Sequence, residues 1–396
     1  MSHMKGNVLK GSLLIAGTSI GGGMLALPVL TSLGGFIPSL VIYLVCWIFM
    51  ASTGLLFLEV SQWIGTETNI VTMAKTTLGI PGQIATWLIY LFLFYCLTVA
   101  YIVGCGNLVT ELLNNQIPQW LGFLVFLAVF IPLVYAGAKW VSKINLFLMF
   151  GLGLSFLLFV LLGWRSVNPE HLTYKNWSLS LLGLPIAFTS FAYQGIIPTL
   201  VNYFDHDIPK ARKAILIGSF IPLIAYIIWQ WLILGIVPTF GPGGLQETME
   251  AGQNAVYPLK NFIEAPSIYI IAQFFAFFAL VTSFLGVTLG LVDFLADGLA
   301  VPKTSFNKVW LCALVFLPPL FIAILYPHIF LKALDYAGGY GCALLLGLMP
   351  ILMVWAGRYY QKRTADYPFP GGRLALLALL AFILIELAVE VLFKFP

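Results

Sequence analysis

Residues 17–28 read Gly-Thr-Ser-Ile-Gly-Gly-Gly-Met-Leu-Ala-Leu-Pro and lie inside a long apolar segment. Three consecutive glycines, Gly21, Gly22 and Gly23, do not suit the middle of a stable helix, since each costs ~1 kcal/mol relative to Ala. In hydrocarbon a freed backbone amide costs several kcal/mol more unless something binds it. A break here exposes the N-terminus of a second half-helix, with free N–H groups and a positive dipole end. That chemistry suits a carboxylate, and glycine lets a ligand come close to the backbone. Thr18, Ser19 and Met24 flank the same break. A second stretch, Phe188-Thr-Ser-Phe-Ala-Tyr-Gln-Gly-Ile-Ile-Pro198, interrupts another apolar segment with polar residues, a glycine and a proline. Its free carbonyls suit an ammonium group. One end for each sign describes an amino acid zwitterion. Phe188, Ser190, Phe191, Tyr193 and Gln194 lie in this second stretch. Tyr101, midway along a third segment, carries a hydroxyl that needs a partner when buried.

The ionisable residues are few and therefore informative. Acids embedded in a membrane are functional candidates by default. Asp293 and Asp297 are four apart near the inner end of the eighth segment, where pairing with Lys5 or Lys10 would make a gate. Glu59, near the inner end of the second, reads as the structural partner of a loop cation ahead of a proton carrier. Thr282 and Ser283 are adjacent hydroxyls at mid-depth. Glu386 and Glu390 share one face of the last segment. Gln230 reads as a buried structural polar group. Cys46, Cys96, Cys105, Cys312 and Cys342 all lie in apolar runs, without a CxxC or a neighbouring His, and read as small core residues. No metal site and no cofactor are expected. His3, His171, His206 and His328 are scattered over the tail and loops, which argues against a membrane enzyme. No ATP-binding loop and no pore-lining ring motif is visible, which argues against a primary pump and a channel.

The elements that position these residues follow from composition. The 396-residue chain is 61% hydrophobic and only 9% charged, whereas a soluble domain carries roughly 25% charged residues. An all-α polytopic membrane protein follows, and nucleic-acid binding does not. Eleven apolar segments approach or exceed the ~20 residues a bilayer requires: 8–32, 35–62, 82–113, 119–137, 144–164, 180–203, 213–238, 267–298, 307–326, 329–356 and 373–394. The first is too long for a cleavable signal peptide, and Met1-Ser2-His3-Met4 reads as a cloning remnant. With the N-terminus in the cytoplasm and the C-terminus outside, only Arg165, Lys175, Lys260, Lys332 and Lys394 of the 19 Lys and Arg lie outside, as the positive-inside rule demands. The inner stretch 63–81 reads as an amphipathic surface helix. The outer stretch 239–266 reads equally as a lid or a solvated connector.

The two broken segments are the first and the sixth, and they run in opposite directions. They head two groups of five, 8–164 and 180–356, with 373–394 outside the repeat, all in one domain spanning 1–396. Broken spans in matching places of inverted halves point to a secondary transporter with its site at the bilayer midplane.

These residues resemble the hydroxy and aromatic amino acid permeases, a branch of the amino acid–polyamine–organocation superfamily. The resemblance rests on 16–28, on Leu58-Glu-Val60, on Thr98-Val-Ala-Tyr-Ile102, on 189–195, on the long run 282–297 and on Tyr336-Ala-Gly338. Among the branches the chain is most similar to the bacterial tyrosine permeases. The resemblance implies a LeuT-type fold of two inverted five-helix repeats plus an eleventh span. It implies inward symport of an aromatic amino acid, tyrosine first, driven by protons at the bacterial inner membrane, with a single chain sufficient. It assigns substrate binding to residues 18–24, 188–195 and Tyr101, and the side-chain pocket to spans 3, 6, 8 and 10. In sodium-coupled relatives a hydroxyl pair like Thr282 and Ser283 ligates the ion, so sodium symport is the alternative. Two departures stand out. Gln194 replaces the family's usual titratable His, and the lysine that some relatives carry inside span 5 is absent from 146–162.

Overall fold

The structure, a computed structural model, describes residues 6–64, 69–113, 115–302 and 304–394, with Ser305, Phe393 and Lys394 described by backbone alone. Among the described residues ten helices are long and apolar enough to cross a membrane, and a pair bent by 56° makes the eleventh span. The bent pair is span 1, formed by the half-helices Val8–Ser19 and Gly22–Thr31. Then follow span 2 (Phe36–Ser61), span 3 (within Ile70–Leu112), span 4 (Gln119–Ala136) and span 5 (Ala138–Gly163). Span 6 (Trp177–Tyr203), span 7 (Ile208–Ile236), span 8 (Pro266–Gly298), span 9 (Ser305–Leu325), span 10 (Phe330–Tyr360) and span 11 (Gly372–Lys394) complete the set. Lys5 and residues 65–68, on which part of the sequence reading rested, lie outside the described residues.

Sequence punctuation explains most of the ends. Asn69 caps the helix at Ile70 through a reciprocal pair of bonds with Thr72, the arrangement that satisfies orphan amides at a helix start. The expected surface helix is therefore real, but it is not separate. It runs into span 3 through a bend at Gly79, whose φ of 73° favours glycine, two residues before Pro81. Span 5 begins at Ala138, earlier than hydropathy suggests, because Gly137 at φ 91° turns the chain straight out of span 4. Span 10 carries a π-helical stretch over Ala337–Leu348.

Spans 1, 2, 6 and 7 pack on one another, and spans 3, 4, 5, 8 and 9 form a second group, with span 10 against both. Span 1 begins on what we call the first face, and span 6 begins on the second. On the second face the loop after span 7 is folded, with its charged residues exposed and several apolar ones packed inward. It holds a helix at Leu245–Glu250 and a 3-10 turn at Tyr257–Asn261. Leu245, Ala255, Val256 and Leu259 are buried, and the Ala255 amide donates to the Leu25 carbonyl of span 1. Gln230 is structural as expected: it accepts from the Tyr43 hydroxyl at 2.6 Å and donates to Thr31 at 2.9 Å, tying spans 1, 2 and 7.

Glu59 is held on the first face by Arg358 of span 10. The guanidinium Nε donates to Oε1 at 2.6 Å, and the Phe369 amide donates to Oε2 at 2.7 Å. Glu59 is 1% exposed and Arg358 13%. The carboxylate thus clamps span 2, span 10 and the link to span 11 together, the structural role read from sequence with span 10 in place of a loop cation. Removing one partner of a buried pair strands the other charge. Arg358→Ala is expected to destabilise the fold by about 3–5 kcal/mol, seen as a lower thermal unfolding midpoint. An unchanged midpoint means that this pair does not hold the spans together.

Candidate functional site

Both breaks fall where the glycine and polar stretches predict them. Span 1 stops at Ser19, and the Ile20 amide makes the last bond of the first half-helix, to Ala16. Span 6 unwinds after Ser190, and Gln194 to Ile196 then form a single 3-10 turn before the second half resumes at Ile197. Pro198 stands in the first turn of that half, where its missing N–H costs nothing.

The glycine triplet is demanded by contact as well as by the break. A Cβ on Gly21 would collide with the Ser283 hydroxyl. One on Gly22 would lie 2.5 Å from the Tyr101 ring, and one on Gly23 would lie 2.8 Å from the Ser190 hydroxyl. The freed amides are shared out. Gly22 donates to Ser283 Oγ of span 8 at 3.2 Å, and Met24 closes a tight turn onto the Gly21 carbonyl. Neither the Gly21 nor the Gly23 amide donates to a group among the described residues, which leaves both open to a ligand.

A cavity of about 540 Å³ opens at this break, between the two groups of spans. Thr18, Ser19, Gly21, Gly22, Gly23, Tyr101, Tyr193, Thr282 and Ser283 line it, together with Thr189 and Ala192 of the span 6 break. Its remaining lining comes from the first-face halves of spans 1, 3, 5, 6 and 8 and from span 10. Leu13, Leu14, Asn145, Val287 and Gly290 belong to that set. The cavity therefore leads toward the first face, while the packed loop covers the second.

The other sequence candidates sit elsewhere. Gln194 is fully buried with its carboxamide on span 2, donating to the Met50 carbonyl and to Thr53 Oγ1, each at 3.1 Å, and accepting from the Tyr193 amide. Its expected place among substrate ligands is thus not where the side chain points, because unwinding rotates it toward span 2. Met24 and Phe191 are core residues, the latter against the Tyr226 ring at 5.1 Å. Phe188 packs between Phe49 and Phe382. The Ser190 hydroxyl bonds back to the Ile186 carbonyl of its own helix. Thr282 likewise donates to the Phe278 and Ala279 carbonyls. Asp293 and Asp297 lie in the last turns of span 8. The two ion pairs formed among the described residues, Glu59–Arg358 and Asp207–Lys210, do not join either acid to Lys10.

Three features of the site were not read from sequence. The first is Tyr226 of span 7, fully buried, whose hydroxyl lies 2.7 Å from the Ser19 carbonyl and 2.7 Å from the Ser190 carbonyl. One hydroxyl thus serves the last carbonyls of both broken helices. The second is a stack of rings, Phe94 on Tyr90 at 4.3 Å and Tyr90 on Phe294 at 4.3 Å, running from the cavity wall of span 3 to span 8. The spacing of Tyr90 and Phe94 at i, i+4 was its visible sign. The third is Asn145, a lone carboxamide on the cavity side of span 5, whose Oδ1 has no hydrogen-bond partner among the described residues.

Comparison with known proteins follows the same lines. Residues 4–390 match the tryptophan/tyrosine permease family. A tyrosine-specific transport system 1 from Haemophilus influenzae is 35% identical over 93% of this chain and 92% of its own. A tryptophan-specific transport protein from the same organism is 31% identical over 97% of this chain and 96% of its own. The crystal structure of MhsT in complex with L-phenylalanine superposes with a TM-score of 0.68 at 16% identity, covering 96% of this chain and 97% of that one. The fold is the LeuT-type arrangement of inverted five-helix repeats, with an eleventh span.

Tyr226→Phe removes the one hydroxyl proton that the two buried carbonyls share. It is expected to cost about 1–3 kcal/mol, read as a fall in unfolding midpoint of the purified protein. A wild-type midpoint would mean that the hydroxyl does not tie the breaks together.

Proposed function

We propose that this chain, which belongs to the tryptophan/tyrosine permease family, is a proton-coupled importer with tyrosine as its first substrate. The observation that carries the reading is the cavity at the paired breaks, with opposite helix ends on its walls and rings beside them. The substrate carboxylate would take the Gly21 and Gly23 amides, where the dipole of the second half-helix favours an anion. The ammonium would take carbonyls at the unwound end of span 6 near Thr189 and Ala192. The aromatic side chain would lie along spans 3, 8 and 10, among Leu97, Tyr101 and Cys342, which line the same space. Tyrosine is favoured over tryptophan because relatives at 35% and 33% identity are described as tyrosine-specific, against 31% for the tryptophan-specific one.

The positive-inside pattern supports a first face in the cytoplasm of a bacterial cell, with the N-terminus there and the C-terminus outside. In that orientation the cavity would open toward the cytoplasm, as in an inward-open state. Transport would alternate it with an outward-open one by rocking spans 1, 2, 6 and 7 against the other group. Protons are favoured over sodium by the resemblance to proton-driven permeases, and the Ser283 hydroxyl, which accepts from the Gly22 amide, would be the ligand of the sodium alternative.

Two experiments test this. Uptake into proteoliposomes should follow an imposed pH gradient and ignore an imposed sodium gradient, with tyrosine the strongest competitor in a panel with tryptophan, phenylalanine and histidine. Indifference to pH sinks proton coupling. Gly22→Leu should abolish tyrosine binding while leaving expression intact, since its side chain would fill the space beside Tyr101 and Leu280. Wild-type affinity in that variant would refute the assignment of the site.

A further inference from the structure

Span 11 lies outside the two repeats, and most of it faces away from the protein. Its buried stripe is narrow: Leu376, Ile383, Glu386 and Glu390. Two of these four are acids, each 1% exposed. Both carboxylate oxygens of Glu386 are buried without a hydrogen-bond partner among the described residues. A charge held this way in hydrocarbon is expensive. The titratable groups facing the pair are Cys46 of span 2 and Tyr340 and Cys342 of span 10. The parts of span 6 (181–190) and span 10 (349–355) packed against span 11 hold no titratable side chain. No cation stands in any of these segments to compensate a carboxylate on Glu386.

The surroundings are shaped around these acids. A Cβ on Gly339 would lie 2.6 Å from the Glu390 carboxyl carbon, so the glycine makes room for the acid. Gly339 is part of the π-helical stretch Ala337–Leu348, a wide-turn geometry that concentrates at functional sites. That stretch reaches the span 6 break directly. Gly338 packs against the Pro185 carbonyl, and just before the stretch the Leu334 carbonyl accepts from Thr189 Oγ1 at 2.8 Å. One turn before Glu386, Phe382 packs on Phe49 at 4.9 Å and on Phe188 at 6.1 Å. Phe188 stands two residues before Ser190, whose carbonyl Tyr226 holds.

We propose that Glu386, with Glu390 one turn on, is the proton-binding site of this transporter, and that the π-helical stretch of span 10 couples its protonation to the span 6 break. The inference rests on the proton-coupled reading above. A proton taken from solution forms an O–H bond on the carboxylate and removes its charge. Its loss restores a charge that the present packing does not compensate, so the two protonation states favour different packings of spans 10 and 11.

The test is Glu386→Gln, which keeps the shape of the protonated acid, reconstituted in proteoliposomes beside Glu390→Gln and the wild type. The expected result is a loss of tyrosine accumulation of about tenfold under a gradient of about one pH unit, since one proton moving down it supports that ratio. Exchange of tyrosine at equal pH should persist in the same vesicles. Wild-type accumulation in both single variants overturns the site. A wild type that ignores the pH gradient overturns the proton reading itself, which is a different result. Where Glu386→Gln loses exchange too, the wild-type chain decides. A hydrophobic carbodiimide should then modify Glu386, located by peptide mass, and abolish gradient-driven uptake. An unmodified Glu386 in carbodiimide-inactivated protein overturns the proposal.

Discussion

A backbone cut loose from its helix in hydrocarbon must find partners, and the centre of this protein is organised by that constraint. Span 1 is broken after Ser19 and span 6 after Ser190, which releases carbonyls at two first-half ends and amides at a second-half start. Some are taken up internally. Tyr226 serves one carbonyl from each break, and Ser283 accepts one amide. Those that remain face a cavity, and the proposed site is the remainder of this accounting. As proposed it would need no charged side chain, because helix ends can supply both signs.

The same accounting explains the arrangement around the breaks. Gly21, Gly22 and Gly23 meet Ser283, Tyr101 and Ser190 respectively, so each removes a side chain from a different contact. The triplet is therefore a junction of spans 1, 3, 6 and 8 as much as an interruption. On the first face, Glu59 and Arg358 bind span 2 to span 10, which contacts both groups. Span 10 thereby stands where the two groups must communicate, and its wide turns lie beside the acids of span 11.

Much of this was legible in the residues alone. The glycine triplet, the polar interruption at 188–198 and the inverted order of the two spans located the breaks and the fold. Hydropathy counted the eleven spans, and its errors fell at Gly79 and Gly137, where a positive φ redirects a continuous chain. What could not be read was the direction of side chains around unwound backbone. Helical periodicity ends at Ser190, so nothing local says that Gln194 and Tyr193 both turn to span 2, where each donates to the Met50 carbonyl. Tyr226 was invisible for a related reason: its partners lie 207 and 36 residues away in sequence. An apolar span with one tyrosine carries no mark of such a bridge.

The loop over the second face has a consequence of another kind. Its Ala255 amide holds the Leu25 carbonyl, two residues past the last glycine of the triplet, and its Leu245, Ala255, Val256 and Leu259 are buried beneath it. The loop and the second half of span 1 are in effect one piece, part of it at the surface and part of it beside the cavity. A shift of that half-helix is therefore displayed on the exterior of the molecule. An antibody fragment that recognises the 245–263 epitope in one arrangement would arrest the cycle without entering the substrate path.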